Sequence, residues 1–166
     1  MVAIQKLTPA DFERVARWLS NPEINRWLTS EWRNREVTGV ALAMLLRNQR
    51  NALFLVTEEG QPCGLVAFSE IDTADKTANL WYILGEEHLS GKGITTQAVR
   101  QLAGLGFGPM GLASITAWAM DDNIPSQKVL KKAGFKEVGR FRRSAASGGR
   151  QVDRVYFDLV PEDLKP

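Results

Sequence analysis

The chain has 166 residues, 44% of them hydrophobic and 24% charged, with 21 Lys+Arg against 19 Asp+Glu. It is long enough to bury one good core and too balanced in charge to be a disordered tail, so a single domain over residues 1–166 is expected. One cysteine, Cys63, and one histidine, His88, leave no disulfide framework and no His/Cys metal cluster, and no metal is expected. No apolar run approaches the ~20 residues of a membrane span. The first residues, Met1 to Pro9, lack a secretory pattern, so a cytoplasmic protein without a membrane partner is expected. The charge is uneven: residues 1–124 carry 11 basic and 14 acidic side chains, whereas residues 125–166 carry 10 and 5. A basic C-terminal quarter suits a phosphate-bearing ligand or an acidic partner.

Val2, Ile4 and Leu7 open the chain as a short strand. Thr8-Pro9-Ala10-Asp11 supplies a helix N-cap, and Phe12, Val15, Ala16 and Leu19 recur at helical spacing until Asn21-Pro22. Val37, Val40, Ala41, Met44 and Leu45 predict one face of a second helix. Ala52–Thr57, Cys63–Ile71 and Thr77–Leu84 read as three antiparallel strands joined by Glu59-Gly60-Gln61-Pro62 and by residues 72–76. Ile94, Ala98, Leu102 and Leu105 mark a third helix, Ser114–Met120 a strand, and Pro125–Ala133 a fourth helix with Gly134 at its C-cap. Two strands flank Ser147-Gly148-Gly149. The order is β-α-α-β-β-β-α-β-α-β-β, a mixed α+β domain with one βαβ crossover.

Two stretches carry chemistry. In the first, a strand runs through Gly85 into Ser90-Gly91-Lys92-Gly93-Ile94-Thr95-Thr96 and then a helix. Unpaired N–H groups and the positive dipole end at a helix N-terminus favour phosphate, and glycine lets the backbone approach closely. A tight strand-to-helix connection would need the same glycines. Neither common phosphate loop fits: Lys92 lies between the glycines instead of after them, and Thr96 stands where a dinucleotide fingerprint needs glycine. In the second stretch, Asp122-Asn123-Ile124-Pro125-Ser126 leads into Lys131-Lys132-Ala133-Gly134-Phe135.

Together, in this order and spacing, these stretches resemble the Gcn5-related N-acetyltransferase (GNAT) superfamily, nearest to its ribosomal-protein-type and amino-sugar-type branches. The resemblance implies a mostly antiparallel seven-stranded sheet with one splayed parallel strand pair and about four helices. It implies acetyl-CoA as co-substrate, with backbone of Tyr82, Ile83 and Leu84 along the pantetheine arm. Ser90, Gly91, Lys92, Gly93, Ile94, Thr95 and Thr96 would hold the pyrophosphate, and Asn123, Ser126 and Lys128 would lie against the coenzyme. Asn123 would equally serve as a helix N-cap. Trp27, Trp32 and Trp118 are candidates for the acceptor wall, with core packing as the alternative.

The match departs from the family where catalysis is concerned. Relatives place a tyrosine seven residues after the asparagine, where Leu130 stands, and some place a glutamate at the positions of Trp118 or Asn79. Ser126 is therefore the candidate acid for the departing thiolate. Glu70, put by strand alternation on the face of Val66 and Phe68, is a candidate base beside a water chain or a plain surface role. The expected reaction is direct attack of a primary amine, on a protein N-terminus, a small molecule or an amino sugar, on the thioester. The alternative is a catalytically weak acyl-CoA-binding or sensing module. Nucleic-acid binding rests only on Arg140-Phe141-Arg142-Arg143 and is not expected. A homodimer through the last hairpin stays open.

Overall fold

A computed structural model describes residues 1–33 and 35–166. One sheet runs through it, with strands β1 (Val2–Lys6), β2 (Ala52–Glu58), β3 (Gln61–Asp72), β4 (Thr77–Leu84), β5 (Ser114–Met120), β6 (Lys136–Ser147) and β7 (Arg150–Leu159). Their spatial order is β1-β2-β3-β4-β5-β7-β6. Every adjacent pair is antiparallel except β4–β5. Helices α1 (Phe12–Ser20), α2 (Pro22–Asn25), α3 (Gly39–Arg47), α4 (Ile94–Phe107) and α5 (Ile124–Ala133) complete the fold. The seven strands, the lone parallel pair and the four longer helices follow the sequence expectation.

Alternation divides the core between the two faces of the sheet. Val66, Phe68, Ala78 and Leu80 pack with Ala98, Val99 and Leu102 of α4 and Leu130 of α5. Leu53, Leu55, Leu65, Ala67 and Ile83 pack on the opposite side with Val15, Trp18 and Leu19 of α1 and Leu42 of α3. The expected face of α3 needs partial correction: Val37, Ala41 and Leu45 pack inward as expected, but Val40 and Met44 do not. Thr38 caps the helix, its Oγ1 accepting from the Ala41 N–H at 3.2 Å, and its fully buried residue is Leu42. Val40 and Met44 are 72% and 66% exposed, because a start at Gly39 rotates them outward.

The parallel ladder is short. Thr77, Ala78 and Asn79 face Ser114, Ile115 and Thr116, and pairing stops there. Beyond it β5 bonds only to β7 and β4 only to β3. The two strands diverge and leave the facing backbone of both without a partner strand.

β6 is a sheet edge that exposes Val138 and Phe141. It bulges between Phe141 and Ala145, where Arg143 takes a left-handed φ of 52°. Asp153 of β7 holds this bulge, Oδ1 accepting from the Arg143 N–H at 2.8 Å and Oδ2 from Arg140 at 3.0 Å. The backbone bond from Arg143, then the Arg140 guanidinium, keep the Asp153 carboxyl below its ordinary range. A lowered value means the bulge is supported above the unfolded carboxyl value of about 3.9 and released as pH falls through the lower folded one. Protection of the Arg143 amide, its exchange measured against that of an unstructured chain at the same pH, should accordingly hold down to about pH 4 and fall only in stronger acid. An amide already unprotected at neutral pH would contradict it.

Candidate active site

The divergence of β4 and β5 opens a cleft of about 620 Å³. Its floor is Leu80–Leu84 of β4 with Trp118 and Ala119 of β5. One end is walled by the loop into α4 and the start of α5; the other by Ile24, Trp27 and Leu28.

Gly91 and Gly93 in the loop take left-handed φ values of 80° and 77°. There a Cβ would meet nothing within 4 Å, so glycine is required by backbone conformation and not by crowding. The first helical bond of α4 runs from the Gln97 N–H to the Gly93 carbonyl at 3.1 Å, which leaves the N–H groups of Ile94, Thr95 and Thr96 without a helical acceptor. Ser90, Gly91, Gly93, Ile94, Thr95 and Thr96 all line the cleft; Lys92, expected among them, does not. At this end the positive charge comes from Lys128 and Lys132 of α5.

Asn123 is an N-cap, as its alternative reading had it. Its Oδ1 accepts from the Ser126 N–H at 3.3 Å, and it lines the cleft as well. Ser126 has a partner that sequence reasoning missed. The Tyr82 hydroxyl lies 2.7 Å from Ser126 Oγ and donates to the Ser126 carbonyl oxygen at 3.1 Å in one of its two arrangements. Tyr82 entered the expectation only through its backbone, yet its side chain reaches from β4 to α5. Burial pushes its phenol well above the ordinary value, so it stays neutral and able to donate. Tyr82 packs on the same side of the sheet as Leu80 and Leu130, and no local sequence pattern signals Ser126 as its partner.

Besides Lys92, two expected residues do not reach the cleft. Glu70 is exposed and lies in a β-bulge, where the register shifts between Ser69 and Asp72 and its φ is 53°. The bulge breaks the alternation that placed it with Val66 and Phe68. It also sits beside the Asn79 end of β4, where the β4–β5 ladder is still closed. Trp32 packs instead behind the floor, its ring 5.7 Å from that of Trp81. Trp81 takes the lining position, joining Trp27 and Trp118. Leu130, at the position of the family's tyrosine, is fully buried in the core. No carboxylate and no histidine lines the cleft among the described residues, and none holds three or more His, Cys, Asp or Glu in a metal-binding cluster. No helix among them is long and apolar enough to cross a membrane.

The profile of the acetyltransferase (GNAT) domain matches residues 2–136. An uncharacterized N-acetyltransferase, p20, of Bacillus licheniformis is 26% identical over 168 residues, covering 98% of this chain and 94% of its own. The putative ribosomal N-acetyltransferase YdaF of Bacillus subtilis is 24% identical, covering 98% of this chain and 92% of its own. In fold the chain is similar to a spermidine N-acetyltransferase of Vibrio cholerae solved with CoA and spermine. That match has a TM-score of 0.87 at 17% identity and covers 98% of this chain and 97% of the other. RimJ of Mycobacterium smegmatis, solved with a CoA disulfide, superposes with a TM-score of 0.83 at 22% identity, covering 99% and 84%. With a splayed parallel pair, a glycine-led helix N-terminus on its rim and a family profile spanning most of its length, the chain belongs to the GNAT acetyltransferases, enzymes that draw their acetyl group from acetyl-CoA.

Proposed function

We propose that the protein acetylates a primary amine of low pKa, an α-amine in preference to a lysine side chain, by direct attack on the thioester. The single observation that carries this reading is the cleft opened where the β4–β5 ladder stops, with Ser126 and the α4 N-terminus on its walls. Acetyl-CoA brings the activated acyl group. The N–H groups of Ile94, Thr95 and Thr96 are free to donate to a pyrophosphate, and Lys128 and Lys132 supply counter-charge there. Backbone groups of Leu80–Leu84 that face β5 have no strand to bond, which leaves them available to a pantetheine arm and to a developing oxyanion. Ser126 holds the hydroxyl proton for the departing thiolate.

The absence, among the described residues, of a carboxylate or histidine from the lining favours an amine that sheds its own proton to water. An α-amine titrates near ~8 and a lysine near ~10.4, so at neutral pH far more of the α-amine is nucleophilic. The branch resemblance supports a peptide or protein N-terminus, as does the printed name of YdaF, a putative ribosomal N-acetyltransferase.

Thiol release on mixing the protein with acetyl-CoA and a panel of peptide N-termini, lysine peptides and polyamines tests the reading. Turnover with the α-amine peptides is expected, and silence across the panel would overturn it. The loop has its own test. Gly93→Val forces a β-branched residue to a φ of 77°, and reshaping the loop sacrifices a charge-assisted backbone contact. The KM for acetyl-CoA should rise about tenfold with kcat little changed. An unchanged KM would mean the loop does not carry the coenzyme.

A further inference from the structure

Beside the tryptophan end of the cleft lies a second cavity of about 420 Å³ that none of the roles above uses. Its walls come from two distant parts of the chain, the α2 segment with Arg26, Ser30 and Arg33, and the β6–β7 tip at Ser147, Gly148 and Gly149. Arg33 joins them, donating to the Ala146 carbonyl oxygen at 2.6 Å. The two cavities share a partition. Arg26 lines the second cavity and Trp27 the cleft, and the Arg26 guanidinium sits over the Trp27 ring, 4.3 Å from its centroid. Trp118, also in the cleft wall, carries the Arg154 guanidinium at 4.4 Å, and Arg154 Nε is buried with no hydrogen-bond partner.

The charge around this partition is one-sided. Among the described residues no Asp or Glu lines either cavity, and neither Arg26 nor Arg33 is ion-paired. One carboxylate bonds to the cavity wall: Asp122, whose Oδ2 accepts from Ser147 at 2.9 Å and faces Arg150 at 3.9 Å. Its Oδ1 is buried and unpartnered, but Asp122 lines neither cavity. Guanidinium groups without counter-ions attract carboxylate and phosphate and repel ammonium.

We propose that the second cavity binds an oxyanion, a carboxylate or a phosphate, carried by the acceptor a few atoms beyond its amine. The acceptor is then an acidic α-amine, and a polyamine is rejected because it would set ammonium groups against Arg26 and Arg33. The place of the amine rests on the acetyl-transfer reading; the cavity's preference for an anion does not.

Calorimetry with three tripeptide amides that share an N-terminal alanine tests this: one continuing Asp-Glu, one phosphoserine-Gly and one Lys-Lys. Each is titrated into the protein in the presence and in the absence of CoA. The acidic or the phosphorylated peptide should bind at least about tenfold more tightly than the basic one, and the difference between those two tells carboxylate from phosphate. Arg26→Glu, at an exposed side chain with no hydrogen bond to lose, should abolish the preference and leave CoA affinity as it was. Arg33→Lys, which keeps the charge, should retain it. Equal binding of the three peptides, tighter binding of the Lys-Lys peptide, or a preference that survives Arg26→Glu would overturn the proposal. Failure of CoA to bind would overturn the acetyl-transfer reading instead, since the peptide titrations without CoA still read the cavity.

Discussion

Ser126→Ala is expected to lower kcat about 100-fold while leaving CoA affinity within a factor of two or so. The magnitude sits at the low end for general acid catalysis because a thiol, with a pKa near ~8.5, is already a good leaving group. The Tyr82–Ser126 pair admits two arrangements. In one, the phenol donates to the Ser126 carbonyl oxygen at 3.1 Å and the serine hydroxyl donates to the phenol. In the other, the phenol donates to Oγ across 2.7 Å and the serine proton is free to point into the cleft. Only the second can deliver a proton to a thiolate. Tyr82→Phe should therefore cost about tenfold in kcat, and the double variant should be no worse than Ser126→Ala, as expected of residues that act as a unit. Because burial raises the phenol above its ordinary value, Tyr82 loses no proton below about pH 10. The pH–rate profile should rise with the acceptor's own pKa and show no alkaline decline from this pair. Additive losses, or an alkaline limb below pH 10 that Tyr82→Phe removes, would contradict the arrangement.

Gly85→Ala should destabilise the fold by about 3 kcal/mol or more. An alanine Cβ there would lie 2.2 Å from Trp18 Cε2 and 2.3 Å from Cδ2. Trp18 is 6% exposed and wedged on α1 among Val15, Leu19 and Ile83, so the ring has no open space to enter. Gly85 cannot yield either, since its N–H donates to the Cys63 carbonyl oxygen at 2.7 Å as β4 ends. For a chain of this size the cost corresponds to a fall in Tm of roughly 10 °C. A thermal melt unchanged from wild type would refute this packing.

The order of strands and helices along the chain was legible because it rests on local periodicity, and the loop into α4 because its glycines take φ values that only glycine adopts cheaply; the sheet with its one splayed parallel pair came from the family resemblance. Gly91, Gly93 and the Asn123 cap are such local signals. Contacts between distant segments were not legible. Tyr82 meets Ser126 across 44 residues, and Trp81 rather than Trp32 faces the cleft, with the two rings in tilted contact at 5.7 Å. Glu70 failed for a different reason. Strand alternation is a reliable guide only while the register holds, and a single bulge after Ser69 turned the side chain away. The excess charge of the C-terminal quarter resolved in the same spirit: Lys128 and Lys132 line the cleft, whereas Arg140 pairs with Asp153 on the edge hairpin.

The most direct test of the coenzyme site is hydrogen exchange on the intact protein as CoA is titrated in. Slowed exchange confined to the loop Gly91–Thr96 and to those amides of Leu80–Leu84 that face β5, saturating with a single affinity, is the predicted result, because β3 pairs only the other side of β4 and the α4 N-terminal amides have no helical acceptor. Saturable binding with protection elsewhere, and none in either segment, would contradict the placement of acetyl-CoA between β4 and β5.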